Sequence, residues 1–588
     1  MKYLKIIPLF IALLAIFSAC QKDLLDKKPL DKITEASYFL TTNDLQTYVN
    51  QFYTDQIFRL RRTPTYTAFF PWFGDDNNSD NSIDVSSLNP LLAGQRTISY
   101  QNNAGYSTYG SWGVFTTIRQ INYFFENYKK CKEPFNNYKQ YVGEAYFFRA
   151  IQYYYLLQCY GDIPWITKAL TPTSPELFNL RDKRNIVADN IIAQLDSAVM
   201  YLPATKDNGA SRINKWLALV LQSEVALYEG TWEKYHAGDQ FGVANPQTAK
   251  YLNKAVEASS AVMNSGLYSI YTKGNPEVDF ANCFRMRDYS ANSEVVFWKQ
   301  FNNAVGVNNS YGGFNYLHER PYNKSLTKSL ADAFLCKDGK PISVSPLFAG
   351  YNTLSLEAKD RDPRFHQTIG TPEDAWKIDA NGTIHNYSEL YAILNNGAEY
   401  NAGTGYVIAK QYDPQMIYHK TNYEDTPWIY ARYAEVLLTY AEAKAELGTL
   451  TQDDIDKSIK KLRDRVGMPN LILGNITTDP KWDFPTLSPV INEIRRERRI
   501  ELATEGFRWQ DIARWAGADE LIVGKKPLGF KASQITSTFY PADANGFLDP
   551  FKNALPNGYE FKVGRDYLDP IPQGEIVLNP KLTQNPGW

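Results

Sequence analysis

The clearest signal along the chain is a set of segments in which apolar residues recur at helical spacing. Asn43–Phe58 reads as a helix with Thr42 or Asn43 as its N-cap. Tyr138–Tyr160 carries apolar residues on every turn. Arg184–Leu202 places Ile191, Leu195, Ala198 and Leu202 on one face. Ile213–Tyr228 and Ala249–Met263 continue the pattern, and a helix is also expected over Val114–Tyr128. A later pair is expected at Trp428–Leu447 and Asp453–Val466. Small residues fall where helices could approach closely: Ala145 and Ala150, Ala218 and Ala226, Ala255 and Ala258. Short turns between helices of this texture predict a mainly α scaffold of helical pairs, close to the 34-residue rhythm of tetratricopeptide repeats.

Two stretches interrupt that period. Thr63–Trp112 is rich in Asn, Asp, Ser, Gly and aromatics and reads as loop. Between Gly266 and Pro427 the helical period fades while Asn, Gly, Pro and Tyr rise. A structureless insertion of that length is improbable in a compact domain. We therefore expect a loop-rich second lobe of short helices and strands resting on the scaffold, with Lys525–Trp588 similar in texture.

The N-terminus has a different pattern. Lys2 and Lys5 precede an uncharged run, Ile6–Ala19, that ends in small residues and Cys20. This is the layout of an export signal, and the run is shorter than the roughly 20 apolar residues of a membrane-spanning helix. An uncleaved anchor helix is the alternative. Phe17-Ser18-Ala19-Cys20 resembles a bacterial lipobox, which implies Cys20 as the lipidated first residue of the mature chain. Gln21–Asp31, dense in Lys and Asp, then reads as a solvated tether.

Composition narrows the function. Sixty-two basic residues nearly balance 64 acidic ones, so no basic field is available for nucleic acid. Aromatic residues make up 14% of the chain, including 41 Tyr and 12 Trp. Rings with an apolar face and a polar handle suit sugar or peptide binding. Besides Cys20, the cysteines are Cys131, Cys159, Cys283 and Cys336. They form no CxxC, and one disulfide of undetermined pairing is compatible with an oxidising compartment.

Other motifs carry little catalytic chemistry. Asp76, Asn78 and Asp80 have the first spacings of a calcium loop, but Asn81 and Ser87 stand where Gly and a bidentate Glu are needed. A polar loop is favoured over a calcium site. No P-loop, HExxH or GxSxG occurs, and the five histidines are scattered. No cofactor or metal is called for. Abundant acidic residues leave a glycosidase carboxylate pair open without singling one out. Ile491–Trp515 contains an arginine-rich helix. Four arginines and three glutamates between Glu493 and Glu501 leave little net charge, so a salt-bridged structural helix is expected. Arg498 and Glu501 could pair on one face with Glu505 a turn further on, while Ile494, Leu502 and Ala503 pack inward.

Three stretches in order resemble the SusD/RagB family: Cys20 with KDLLDKKPLDKITEASYF, then RRERRIELATEGFRWQDIARW, then the C-terminal DYLDPIPQGEIVLNPKLTQNPGW. The resemblance spans the mature chain. It implies a non-enzymatic, lipid-anchored protein of the outer membrane that faces outward. Such a protein captures oligosaccharides, or in some members peptides, and passes them to a SusC-like TonB-dependent transporter. It implies a division into signal (1–19), tether (20–40), N-terminal helical region with ligand loops (41–265), loop-rich lobe (266–427) and C-terminal region (428–588). Within this frame, Arg96, Tyr109, Trp112, Asn308, Tyr311, Phe314 and Tyr316 are the candidate ligand residues. Trp112 and Tyr311 are expected to form a stacking platform, with Arg96 and Asn308 binding hydroxyls. The alternative for Trp112 is that it starts a helix and packs into the core.

Overall fold

The computed structural model describes residues 38–54, 76–77, 79–98, 112–206, 212–307, 319–397, 399–419, 425–537 and 539–588. Cys20, the signal and the tether lie outside the described residues, as do Tyr109, Asn308, Tyr311, Phe314 and Tyr316.

The first helix, α1, runs Thr42–Asn50 and is capped by Thr41, one residue before the expected position. The Thr41 hydroxyl accepts from the Asp44 amide at 3.2 Å, and the Asp44 carboxylate accepts from the Thr41 amide at 2.9 Å. This reciprocal pair satisfies two orphan donors, and so the helix starts there. Helices α2 (Val114–Asn127), α3 (Phe135–Tyr160), α4 (Arg184–Tyr201), α5 (Lys215–Tyr235) and α6 (Thr248–Met263) follow. Each packs on the next in the chain from α2 to α6, most extensively α5 on α6 and then α3 on α4. Gly230 allows α5 and α6 to approach closely, because a Cβ there would sit 3.0 Å from Leu252. The α3 helix is buried around most of its circumference, from Val142 to Tyr160. It is the central rod of the scaffold.

The expected helix at Trp428–Leu447 divides in two. Trp428–Arg432 forms a strand antiparallel to Val295–Lys299, and the helix, α7, covers only Tyr433–Glu446. Trp, Ile and Tyr at the front of the segment suit a pleated surface. The expected helix at Asp453–Val466 also divides, at Ser458, into α8 (Gln452–Lys457) and α9 (Ile459–Arg465). Ser458 has φ −125° and ψ −89°, which no helix continues through. The arginine helix, α10, spans Pro489–Glu501, with the Ser488 side chain as its N-cap and Pro489 in its first turn.

The largest apolar core unites α1 to α6 with α7 and the C-terminal residues up to Leu582. A second core gathers residues between Leu326 and Tyr412 and adds Ile500, Ala503, Phe530 and Leu548. The second lobe therefore rests on the end of α10. Strands are few and paired in twos, all antiparallel: Ser82–Asp84 with Lys324–Leu326, Val295–Lys299 with Trp428–Arg432, and Ala375–Ile378 with Ile384–Asn386. The fold is mainly α. The four described cysteines are all buried free thiols.

Ile494, Leu502 and Ala503 are buried as expected, but the ion pairing of α10 differs from the expectation. Arg498 pairs with Asp511 at 2.9 Å, not with Glu501. Glu501 is bound by three arginines from elsewhere: Arg364 at 2.9 Å, Arg432 at 2.7 Å and Arg465 at 2.6 Å. Those guanidiniums oppose the cost of burial and hold its carboxyl well below the usual range. A buried glutamate demands several donors at once, and a single neighbour on its own helix supplies too few.

A comparable arrangement occupies the polar loop at residues 76–81. The Asp80 carboxylate is buried against Arg508 at 2.7 Å and Arg499 at 2.8 Å. Asp76 is fully buried and accepts from the Thr504 amide at 2.7 Å and from Asn81 at 3.2 Å. Arginines, the Thr504 amide and Asn81 thus hold both oxygens of Asp80 and one of Asp76, as the polar-loop reading expects, while the other Asp76 oxygen has no partner among the described residues.

Candidate functional site

Trp112 stands immediately before α2, whose N-terminal residue Gly113 supplies no side-chain cap. Its indole is half-buried. It meets Tyr160 edge-on at 5.3 Å between centroids and Phe115 at 5.2 Å. The ring therefore packs on the end of α3, as the core alternative foresees, and also lines a groove of about 790 Å³. One side of the groove is the start of α2, with Phe115, Ile118 and Arg119. Across it runs the segment 164–178. The third side is formed by helix α11, Gln573–Leu578, together with Asn579 and Leu582.

Local hydrogen bonds hold these walls in place. The Asn122 amide donates to the carbonyls of Ile166 and Lys168, each at 3.0 Å, and its oxygen accepts from Arg149 at 3.0 Å. Arg119 donates to the Leu170 carbonyl at 2.6 Å. From the third side, the Asn579 amide donates to the carbonyls of Leu177 at 3.2 Å and Asn179 at 2.9 Å. Apart from the short 3-10 turn Pro175–Phe178, the backbone between residues 164 and 179 is irregular, and asparagine and arginine side chains supply donors to its carbonyls. The result is a fixed groove rather than a loose loop.

The lining is mostly aromatic and aliphatic. Leu177 is 42% exposed, Phe178 48% and Leu578 71%, which is unusual for such side chains in one place. Two carboxyls also line the groove. The Lys168 ammonium bonds to Glu176 and lowers its pKa, while burial raises that of Glu575. The arrangement can hold a flat or apolar ligand face against Trp112 and Phe115, with hydroxyl and charged groups at the rim.

Arg96 does not belong to this groove. It is 6% exposed, and its guanidinium donates to Asp569 at 2.5 Å, to Asp566 at 3.2 Å and to the carbonyls of Asp566 and Leu568. The Trp588 ring lies 5.1 Å from it. These bonds fasten residues 566–569 and the final tryptophan to the scaffold, and they occupy the donors that hydroxyl recognition would require. The expected role for Arg96 is therefore replaced by a structural one.

Sequence reasoning placed Trp112 but missed the opposite walls. Leu177, Phe178 and Leu180 in a Pro- and Thr-rich stretch are an available signal, because apolar residues in such a context have no helix in which to bury themselves. Nothing local pairs that stretch with residues 575–582, some 400 positions away.

With this architecture established, comparison with known proteins identifies its family. Residues 288–588 match the family described as SusD family, and residues 23–227 match the one described as "Starch-binding associating with outer membrane". The first match covers half of the chain, and the chain belongs to the SusD family. It is 26% identical to SusD-like protein P2 of Formosa agariphila, across 98% of this chain and 99% of that one. SusD-like protein P38 of the same organism is 23% identical, over 89% of this chain and 93% of the relative. Among solved structures, a SusD-like protein of Bacteroides fragilis superposes with a TM-score of 0.70 at 23% identity, covering 96% of this chain and all of that one. A SusD-like carbohydrate binding protein of the same species gives 0.69 at 21% identity, covering 93% and 99%. No helix among the described residues is long and apolar enough to cross a membrane.

Proposed function

We propose that this protein is a surface-exposed, lipid-anchored binding protein that captures oligosaccharides and delivers them to a SusC-like TonB-dependent transporter in the outer membrane. It binds its ligand without cleaving it. Membership of the SusD family over the length of the chain is the observation that carries this reading. The family description of residues 23–227 names starch binding and the outer membrane, which supports both halves of it. Cys20 is the lipidation site in this proposal, and Cys20→Ala should leave a folded protein that no longer partitions with membranes after carbonate washing when the transporter is absent. Persistent membrane association would sink the anchor.

In the same proposal Trp112 is one ring of the ligand platform, which extends toward Tyr109 and the stretch Asn308, Tyr311, Phe314 and Tyr316. Sugar rings have apolar faces that stack on such side chains, and one lost stacking ring costs about 1–3 kcal/mol by analogy with base stacking on aromatics. Titration of Trp112→Ala and Tyr311→Ala with maltoheptaose, after melting curves confirm the fold, tests this. Two folded variants that bind as tightly as the parent would place the platform elsewhere. The purified protein should release no reducing ends from starch.

Peptide capture is a second reading, favoured by one specific observation. The Trp112 groove is lined by aliphatic Leu170, Leu177, Leu578 and Leu582, which suit apolar side chains better than hydroxyls. A random peptide library that binds while neutral glycans do not would select it.

A further inference from the structure

We propose that a second crevice, between the arginine helix and the loop-rich lobe, is a separate binding site for a neutral oligosaccharide. It encloses about 450 Å³ and shares no lining residue with the Trp112 groove. Its position makes it independent of the Trp112 reading.

One wall is the segment 479–484 that leads into α10. The other combines the helix Lys328–Ala333 with the turn at residues 543–547. Each wall contributes an aromatic ring, Trp482 and Phe547, both half-buried. Phe547 is steadied by Tyr351, edge-on at 5.3 Å. Trp482 carries a further mark. Its indole N–H is enclosed by protein and has no hydrogen-bond acceptor. A buried donor left without an acceptor is destabilising, and tryptophan N–H groups ordinarily find a partner when buried. A ligand hydroxyl in the crevice would supply one after a small rotation of the ring. Arg495 also lines the crevice with unbonded nitrogens, but the Phe484 and Trp515 rings lie 4.4 and 4.2 Å from its guanidinium and account for them.

The charges decide the ligand class. Arg496 is paired with Asp479 at 2.5 Å and with Glu493 at 2.8 Å. Arg499 is paired with Asp80 at 2.8 Å, Lys328 with Asp332 at 2.5 Å and Lys526 with Asp549 at 3.0 Å. Of the lining lysines, only Lys481, exposed and in no ion pair among the described residues, is left uncompensated, and the open carboxylate of its neighbour Asp483 offsets it, so the crevice offers no concentrated positive charge for a phosphate or sulfate group. Asp483 is different. Its side chain is 44% exposed and only loosely held, 3.5 Å from Arg499 and 3.7 Å from Arg508. Its carboxylate can accept from ligand hydroxyls, and the exposed Asn545 amide can both donate and accept. Two rings, one unpartnered donor, one open carboxylate and a single unpaired lysine that offsets it describe a polyhydroxylated ligand without net charge and with apolar faces.

The test uses the full-length protein and five neutral probes: maltoheptaose, cellohexaose, xylohexaose, mannohexaose and laminarihexaose. Each is titrated calorimetrically against the parent, Trp112→Ala, Trp482→Ala, Trp482→Phe and Asp483→Asn. At least one probe should show a binding event that persists in Trp112→Ala and is weakened about tenfold in Trp482→Ala. Trp482→Phe should fall between the two, because it keeps a ring and loses the donor. If Trp482→Ala does not fold, the exposed Asp483→Asn supplies the same comparison. Unchanged affinities in every Trp482 and Asp483 variant, or no probe bound outside the Trp112 groove, overturn the proposal. Loss confined to Trp112→Ala would leave the main reading intact while removing this one.

Discussion

The four long helices between Phe135 and Met263 satisfy most of their own backbone hydrogen bonds, whereas between Lys324 and Tyr412 buried side chains meet several backbone carbonyls. The first region is four helices, α3 to α6, whose amides and carbonyls pair within each rod. The second is built from short turns and strands that leave carbonyls exposed to an apolar core. Buried cations meet them. Arg361, 2% exposed, donates to the carbonyls of Ala331 and Phe334 at 2.7 Å, of Glu357 at 3.2 Å and of Leu335 at 3.4 Å. Lys410, fully buried, does the same for the end of α10 on which the lobe rests, donating to the carbonyls of Glu501 at 2.9 Å and Ala503 at 2.7 Å and to the Glu505 carboxylate at 2.6 Å. A region without long helices can still be rigid, but it then depends on a few charged side chains, each with several partners. A helical region spreads the same task over many equivalent bonds.

The comparison is broken most severely where the two regions meet. Arg432 is fully buried and binds Glu294 at 2.7 Å, Glu501 at 2.7 Å and Glu505 at 2.6 Å. Arg432→Ala leaves three carboxylates short of a donor, and a loss of about 3–5 kcal/mol in urea unfolding is expected. Arg498→Ala, which leaves Asp511 with Arg514 alone, should act in the same direction but more weakly, without selectively removing ligand affinity. A variant of either kind with parental stability but no binding would mean that the network serves the ligand rather than the fold.

Within the lobe, Arg361→Met should cost about 2–3 kcal/mol, since the carbonyls of Ala331, Phe334 and Glu357 each lose a buried donor. Hydrogen exchange should quicken over residues 324–412 and stay unchanged over 135–263. Equal acceleration in both would dissolve the distinction between the regions.

Glu357 sharpens the comparison through pH. Burial and the nearby Asp332 raise its pKa from 4.5 to about 7, and the Tyr406 hydroxyl donates to it at 2.9 Å. The folded state therefore holds this proton more tightly than the unfolded chain does. The contribution is complete below about pH 4.5 and is lost as pH rises through about 7. Glu357→Gln, which keeps the acceptor for Tyr406, should be more stable than the parent at pH 8 by about 3 kcal/mol, with the gap narrowing to about 1 kcal/mol at pH 5. A gap independent of pH would show that Glu357 does not titrate in this range.

The smallest effect is expected on the scaffold surface. Asp453 and Lys457, four residues apart on α8, form an exposed pair. Asp453→Ala should leave the melting temperature unchanged within error. A clear drop would show that surface charges matter more here than the buried network suggests.

The contrast also explains what could be read in advance. The start of α4 and the ends of α3 and α6 follow directly from apolar spacing, because a helix pairs residues three and four apart and records that in its own sequence. Trp428–Arg432 escaped that logic. Its strand character depends on Val295–Lys299, more than a hundred residues earlier, whose edge it completes. Trp112 was legible as a candidate because it precedes a helix in an aromatic stretch. The walls at 164–178 and 575–582 were not, since only the fold brings them together.

The sequence by itself determined the helical scaffold, the inward face of α10 and the family to which the chain belongs, for each is written in local spacing or in contiguous motifs. The tertiary structure alone decided which charge meets which. Arg96 became a fastener for residues 566–569 rather than a ligand contact, and Glu501 took three arginines from distant segments in place of the one beside it. Burial sets the reason. A charge removed from water must collect enough donors or acceptors to replace its hydration, and those come from whatever elements packing has brought within reach, regardless of their distance along the chain.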